Sequence, residues 1–162
     1  MNKRQGICIK SAYEVDILRK AGKILSSIIN ELRCSLKSGI TTKEIDLKAE
    51  ELIRRHKVVS AFKGYRGFPA TACISVNECV VHGIGSKRVV RDGDIVGIDL
   101  GIIYNQYYSD SAVTVPIGQV SSDVKRLLDV TQSALMLGIN QARVDNKLSD
   151  ISFAVQSFVE MH

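Results

Sequence analysis

Apolar positions fall at helical spacing at both ends of the chain and in short β-branched runs between them. Ile17, Leu18, Ala21, Ile24, Leu25, Ile28 and Leu32 recur at intervals of three and four, the period of one face of an α-helix. Ser11 stands ahead of this run with Glu14 three residues on. That is the spacing of a capping box, in which hydroxyl and carboxylate each accept from the other residue's backbone N–H. Gly39 breaks the pattern and Thr41-Thr42-Lys43-Glu44 offers a second cap. Ile45, Ala49, Leu52 and Ile53 then mark a second helix of about four turns.

The character changes after Val58. Residues 58–118 hold both prolines, Pro69 and Pro116, many glycines, and short runs such as Cys73–Val76 and Val89–Val90. Ile95–Tyr104 and Tyr107–Val115 read as two strands joined by a turn at Tyr104-Asn105-Gln106, whose type is left open because no glycine follows the asparagine. Helical spacing returns after Ser121 with Val124, Leu127, Leu128, Ala134, Leu135 and Ile139, and again with Leu148, Ile151, Val155, Phe158 and Val159. Two helices, a β-rich middle and two more helices predict an α+β fold with an antiparallel sheet, organised as a single domain over residues 1–162. The last helix carries its apolar face to Met161-His162 without a C-cap glycine or a polar tail, which reads as a truncation of a longer polypeptide.

At 45% hydrophobic composition over 162 residues, the chain can bury a substantial core. No run approaches the ~18 apolar residues of a membrane span. The basic start, Met1-Asn2-Lys3-Arg4-Gln5, is not followed by the apolar stretch of a secretory signal, so the expected compartment is the cytoplasm and the expected state of the four cysteines is reduced. None of Cys8, Cys34, Cys73 and Cys79 forms a CxxC pair, which argues against a structural zinc ribbon or finger. Cys34 reads as a small core residue. The net charge of +5 favours weak contact with an anionic surface such as ribosomal RNA. The basic residues are nevertheless scattered, and Arg54-Arg55-His56-Lys57 falls at a helix end, where positive charge suits the dipole. With no base-reading motif, a solvated face is preferred to a specific nucleic-acid site.

Two acidic residues change the picture most. Asp99 and Asp110 each interrupt a run that otherwise reads as buried strand, Ile95-Val96-Gly97-Ile98-Asp99-Leu100 and Ser109-Asp110-Ser111-Ala112-Val113. A carboxylate there is costly unless it is paired or bound to a cation. If the strands fold back about Tyr104 and Asn105, the two aspartates stand directly opposite each other, where like charges repel unless a divalent cation bridges them. Such a pair suits a dinuclear hydrolase; Asp is also common beside turns, and that plainer reading stays open at this point. His82, in Val80-Val81-His82-Gly83-Ile84-Gly85, follows an apolar run and opens a glycine-containing loop. It is either a cleft imidazole or a structural histidine. Gly64-Tyr65-Arg66-Gly67-Phe68-Pro69 sets two aromatics among glycines, to line a small apolar pocket or to pack on the core.

Taken together, these segments resemble the signature of type I methionine aminopeptidases. The resemblance lies in Gly64-Tyr65-x-Gly67-Phe68-Pro69, Cys73-Ile74-Ser75-Val76-Asn77-Glu78-Cys79-Val80-Val81-His82-Gly83-Ile84, Asp92-Gly93-Asp94-Ile95-Val96-x-Ile98-Asp99, and Tyr107-Tyr108-Ser109-Asp110-Ser111-Ala112-Val113-Thr114, in that order. Gly39-Ile40-Thr41-Thr42-Lys43-Glu44-Ile45-Asp46 resembles the start of the family's second helix. The resemblance implies the first half of a pita-bread fold, an antiparallel sheet with helices packed on one face. It implies removal of the initiator methionine from nascent chains with two divalent metal ions, drawn from cobalt, manganese, iron, nickel and zinc. By that likeness Asp99 chelates one metal, Asp110 bridges both, and His82 contacts the substrate near the scissile peptide bond. Tyr65, Phe68 and Cys73 line the methionine pocket, and the backbone carbonyls of Asn77 and Cys79 hold a monovalent cation in some members. The family's remaining ligands, one histidine and two glutamates, together with a second substrate-contacting histidine, have no counterpart in these 162 residues. Gly85 stands where the family usually has proline. Two rivals remain: an Xaa-Pro peptidase or creatinase relative, and a non-catalytic pita-bread binding protein.

Overall fold

A computed structural model describes residues 8–162, and the basic Met1–Gln5 segment lies outside them. The chain divides into two compact units, Met1–Gly118 and Gln119–His162.

In the first unit, α1 runs Ala12–Ser35 and α2 runs Thr42–Arg55. Both open on the capping boxes that the spacing predicts. The Glu14 N–H donates to Ser11 Oγ at 3.3 Å and the Ser11 N–H to Glu14 Oε2 at 2.7 Å. Thr41 and Glu44 repeat the exchange at 3.2 and 2.8 Å. The buried stripe of α1 is Ile17, Ala21, Leu25, Ile28, Ile29 and Leu32. Cys34 is exposed, which corrects its expected place in the core: two residues beyond Leu32 is about 200° around the helix. Arg54 and Arg55 occupy the last turn of α2, as the charge pattern implies, and Arg55 pairs with Glu31 of α1.

Four antiparallel strands follow: β1 (Val59–Ser60), β2 (Cys73–Val76), β3 (Ile95–Tyr104) and β4 (Tyr107–Pro116). β3 is the spine, with β1 and β2 along one edge and β4 along the other. Val89–Val90 forms one isolated bridge, Thr41 to Val89, in place of a strand. Helix α1 packs on β3 and β4, and α2 on β1 and β2. Against them lie Val96, Ile98, Leu100 and Ile102, fully buried, with Ile74 and Val76 of β2 and the half-buried Val113 and Val115 of β4. Burying one such side chain contributes roughly 2–3 kcal/mol. Because side chains alternate along a strand, Gly97, Asp99 and Gly101 are left to the opposite face, where Cys73, Ser75, Asp110, Ala112 and Thr114 join them by register.

In the second unit, α3 (Ser122–Gln141) and α4 (Leu148–Glu160) pack as a pair. The helices approach closely at Gly138, where a Cβ would come within 3.0 Å of Val155 Cγ2. Ala134 and Gly138 are the buried positions of α3, while Leu127, Leu135 and Ile139 of the predicted stripe remain exposed.

Candidate metal and substrate site

The site begins with the β3–β4 hairpin. Tyr104 pairs with Tyr107, leaving a two-residue turn of Asn105 at φ 47° and Gln106 at φ 70°. Two successive positive φ values define a type I′ turn, whose twist matches that of the flanking strands. This register pairs Asp110 with Gly101 and Asp99 with Ala112. The two aspartates therefore share a face but stand diagonally, one pair apart. This corrects the directly opposed arrangement: the fold-back point lies one residue later than the sequence suggested, between Asn105 and Gln106. Diagonal neighbours remain within ~7–8 Å of each other, close enough to interact.

Asp99 is half-buried and Asp110 exposed. The Asp99 carboxyl is held above the ordinary carboxylate range, first by burial and then by the negative charge of Asp110, with His82 pulling the other way. Among the described residues no lysine or arginine forms an ion pair with either aspartate. Two hard oxygen donors on one face, repelling each other and lacking a protein cation, fit a divalent metal ion. They do not complete a cage, since among the described residues no three His, Cys, Asp or Glu side chains gather as one would require.

Strand β2 adds the next wall. Cys73 is the register partner of Asp99, and its buried thiol is pushed up to about 11 by desolvation and by the charges of Asp99 and Asp110. It is a neutral S–H over a wide pH range. The loop after β2 returns to it: the Ile74 N–H donates to the Gly83 carbonyl at 2.8 Å and the Gly83 N–H to Ser75 Oγ at 3.1 Å. A Cβ at Gly83 would lie 2.2 Å from the Ile74 carbonyl oxygen, so only glycine allows this contact. The contact delivers His82, exposed and at φ 58°, near enough to Asp99 for its charge to act there. Val80 and Val81 ahead of it form no strand and are 87% and 60% exposed.

The aromatic loop folds as a 3₁₀ turn, Tyr65–Gly67, entered through Gly64 at φ 87°. Tyr65 is exposed, with the Arg66 guanidinium 5.4 Å from its ring centre. Phe68 is half-buried and meets Phe62 edge-on, 6.5 Å between centroids at 86°. Phe62 was not singled out from sequence. It lies over Gly101, where a Cβ would come within 2.6 Å of its ring. The available signal was a glycine inside a buried strand, which marks close approach of another group. Asn77, at φ 53°, ties the loop after β2 to β3. Its Nδ2 donates to Asp94 Oδ1 at 2.8 Å and its Oδ1 accepts from the Ile95 N–H at 2.9 Å. The Cys79 N–H donates to the Val76 carbonyl at 3.1 Å.

This arrangement has close counterparts. The model of metallopeptidase family M24 matches residues 16–162. Methionine aminopeptidase 1 of Bacillus subtilis is 46% identical over 154 residues, and methionine aminopeptidase of Clostridium perfringens 45%. Each alignment covers 95% of this chain and 62% of the relative. The crystal structure of methionine aminopeptidase from Rickettsia prowazekii superimposes with a TM-score of 0.94 at 34% identity, covering 97% of this chain and 63% of that one. Part of a pita-bread fold, with two aspartates on one face of its sheet, is the class that fold and face define. The chain belongs to metallopeptidase family M24, and it spans about 62% of the length of the curated relatives it matches. No helix among the described residues is long and apolar enough to cross a membrane.

Proposed function

We propose that this chain supplies the first half of the active site of an aminopeptidase that removes N-terminal methionine by metal-dependent hydrolysis. The observation that carries the reading is the pair Asp99 and Asp110 on one sheet face beside His82, with no lysine or arginine ion-paired to it among the described residues, in a member of family M24. Asp99 would hold one divalent ion and Asp110 would serve both ions of a pair, taken from cobalt, manganese, iron, nickel or zinc. When bound, such ions supply an activated water and an electrophile for the scissile carbonyl. His82 contributes a hydrogen bond from the rim to the reacting amide. Tyr65, Phe68 and Cys73, joined by Phe62, form a pocket for an unbranched apolar side chain, and a neutral thiol suits a thioether better than a charged group would. A small second residue is expected. The turn at Asn77 and Cys79 is the place for a monovalent cation held by backbone carbonyls.

The substrates are the methionyl N-termini of nascent chains, and the net charge of +5 supports weak contact with the ribosome. Both compact units belong to one catalytic domain, a reading supported by a family match that runs across them. Because one histidine and two glutamates of the full ligand set have no counterpart here, the 162 residues alone bind divalent ions weakly and do not turn over. Purified chain incubated with Met-Ala-Ser and cobalt or manganese tests this. No methionine release is expected, and robust release would overturn the half-site reading. A polypeptide that carries this chain together with the rest of the family M24 fold should cleave Met-Ala-Ser and not an Xaa-Pro dipeptide, and the reverse preference would replace the assignment with the Xaa-Pro one.

A further inference from the structure

Asp46 is 2% exposed, an acidic side chain of α2 turned inward among the apolar residues of its helix. Burial of a carboxylate is costly unless its oxygens are satisfied. Here Oδ1 accepts the Thr71 N–H at 2.8 Å and the Ala72 N–H at 3.1 Å, and Oδ2 meets Lys43 Nζ at 3.2 Å. Thr71 and Ala72 are the two residues that lead into Cys73, the register partner of Asp99. The same turn of α2 also holds the loop that begins at His82. The Thr42 N–H donates to the Arg88 carbonyl and the Lys43 N–H to the Ser86 carbonyl, both at 2.9 Å, while the Ser86 N–H returns to Thr42 Oγ1 at 2.9 Å. Gly85 lies so close that a Cβ there would stand 2.9 Å from Asp46 Cβ. The loop is in turn bonded to β2 between Gly83 and Ile74.

Three segments are thus tied pairwise: α2 to the start of β2, α2 to the His82 loop, and that loop to β2. A triangle of ties resists shear, where any two alone would leave a hinge. His82 needs such a frame, because it is exposed, sits at a positive φ, and donates or accepts no hydrogen bond of its own among the described residues. We infer that the first turns of α2, with Asp46 at the centre, are a positioning clamp that fixes His82 and Cys73 relative to the aspartate pair. Asp46 touches neither substrate nor metal in this scheme; it acts through the segments it holds. The inference rests on the peptidase reading for its kinetic consequence, though not for its structural one.

The test compares Asp46→Ala, which leaves two buried N–H groups without an acceptor, with Asp46→Asn, which keeps one acceptor oxygen in place. Ile28→Val, a core change on α1 that touches none of these hydrogen bonds, serves as a control for stability loss. In a polypeptide that carries this chain together with the rest of the family M24 fold, assayed well below the Tm of every variant, Asp46→Ala should lower kcat by about 10–100-fold. Asp46→Asn should recover most of that loss, and Ile28→Val should leave kcat unchanged. In the chain as it stands, Asp46→Ala should speed amide exchange together at Thr71, Ala72, Gly83 and Ser86, while the amides of α1 remain protected. Equal kcat for Asp46→Ala and Ile28→Val, or faster exchange at Thr71 and Ala72 with Gly83 and Ser86 unmoved, overturns the clamp. If the unaltered polypeptide cleaves no methionyl peptide, the proposed function falls, and the exchange pattern alone then decides the inference.

Discussion

The two faces of β3 are built on opposite terms. Toward the helices the strand presents Val96, Ile98, Leu100 and Ile102, every one fully buried. Toward the other side the intervening positions Gly97, Asp99 and Gly101 give up apolar area for two missing side chains and a charge. One backbone therefore serves both stability and chemistry, and the pleat keeps the two apart. The glycines are part of the bargain: Gly101 makes room for Phe62 and aligns with Asp110, so the second face is shaped by what was left out as much as by what is present.

The contrast can be broken from either side. The largest effect belongs to Asp110→Asn in a polypeptide that completes this chain with the rest of the family M24 fold, where removing the shared charge should lower kcat/KM for Met-Ala-Ser by about 100-fold or more. The fold should survive this change, and near-normal turnover with full metal occupancy would sink the role given to Asp110. Asp99→Asn should cost similar activity yet raise the Tm of the metal-free chain by about 2 °C or more, since it removes a carboxylate that burial and Asp110 both disfavour. A lower Tm would mean that Asp99 has a structural partner. On the helix side, Ile98→Ala should cost about 2–5 kcal/mol in urea unfolding. Gly83→Ala, which forces a methyl group against the Ile74 carbonyl, should cost about 3 kcal/mol although it adds apolar area. If Gly83→Ala is neutral, the loop is not pinned as described.

The smallest effect concerns Glu14, which caps α1 and accepts the Tyr107 hydroxyl of β4 at 2.7 Å. Its carboxyl is held down at about 2, first by the Ser11 N–H and then by the Tyr107 hydroxyl. A depressed folded value means that the contribution is complete above the ordinary range near 4.5 and disappears as pH falls through about 2. The Tm difference between the unaltered chain and Glu14→Gln should be constant above pH 4.5 and close on acidification toward pH 2. A gap that persists at pH 2 would remove this ion from the account of how α1 is fastened to the sheet.

Much of this was legible in the sequence because it is local. Capping boxes at Ser11 and Thr41 and the two strands on either side of the Asn105 turn follow from spacing alone, the second running one residue further, to Pro116. The aspartate pair was legible as charge where apolar side chains belong. What escaped depends on contacts between distant segments. Asp46 looks like an ordinary helix polar residue until Thr71 and Ala72 arrive to meet it. Phe62 looks like loop until Gly101 receives it. The register slip at the hairpin had another origin: without the glycine that usually marks a type I′ turn, nothing local told whether Tyr104 is the last paired residue or the first residue of the turn, and Gln106 takes a backbone conformation it seldom adopts. Cys34 failed for simpler reasons of helical phase.

That tight turn has a consequence for how such a gene can diverge. Ten residues separate Asp99 from Asp110. Inserting or losing a single codon anywhere among them would flip the far side chain through the sheet, into the layer under α1. Loops elsewhere can lengthen and shorten over generations, whereas this stretch is a ruler whose graduations are read in twos, and mutational drift there must respect parity.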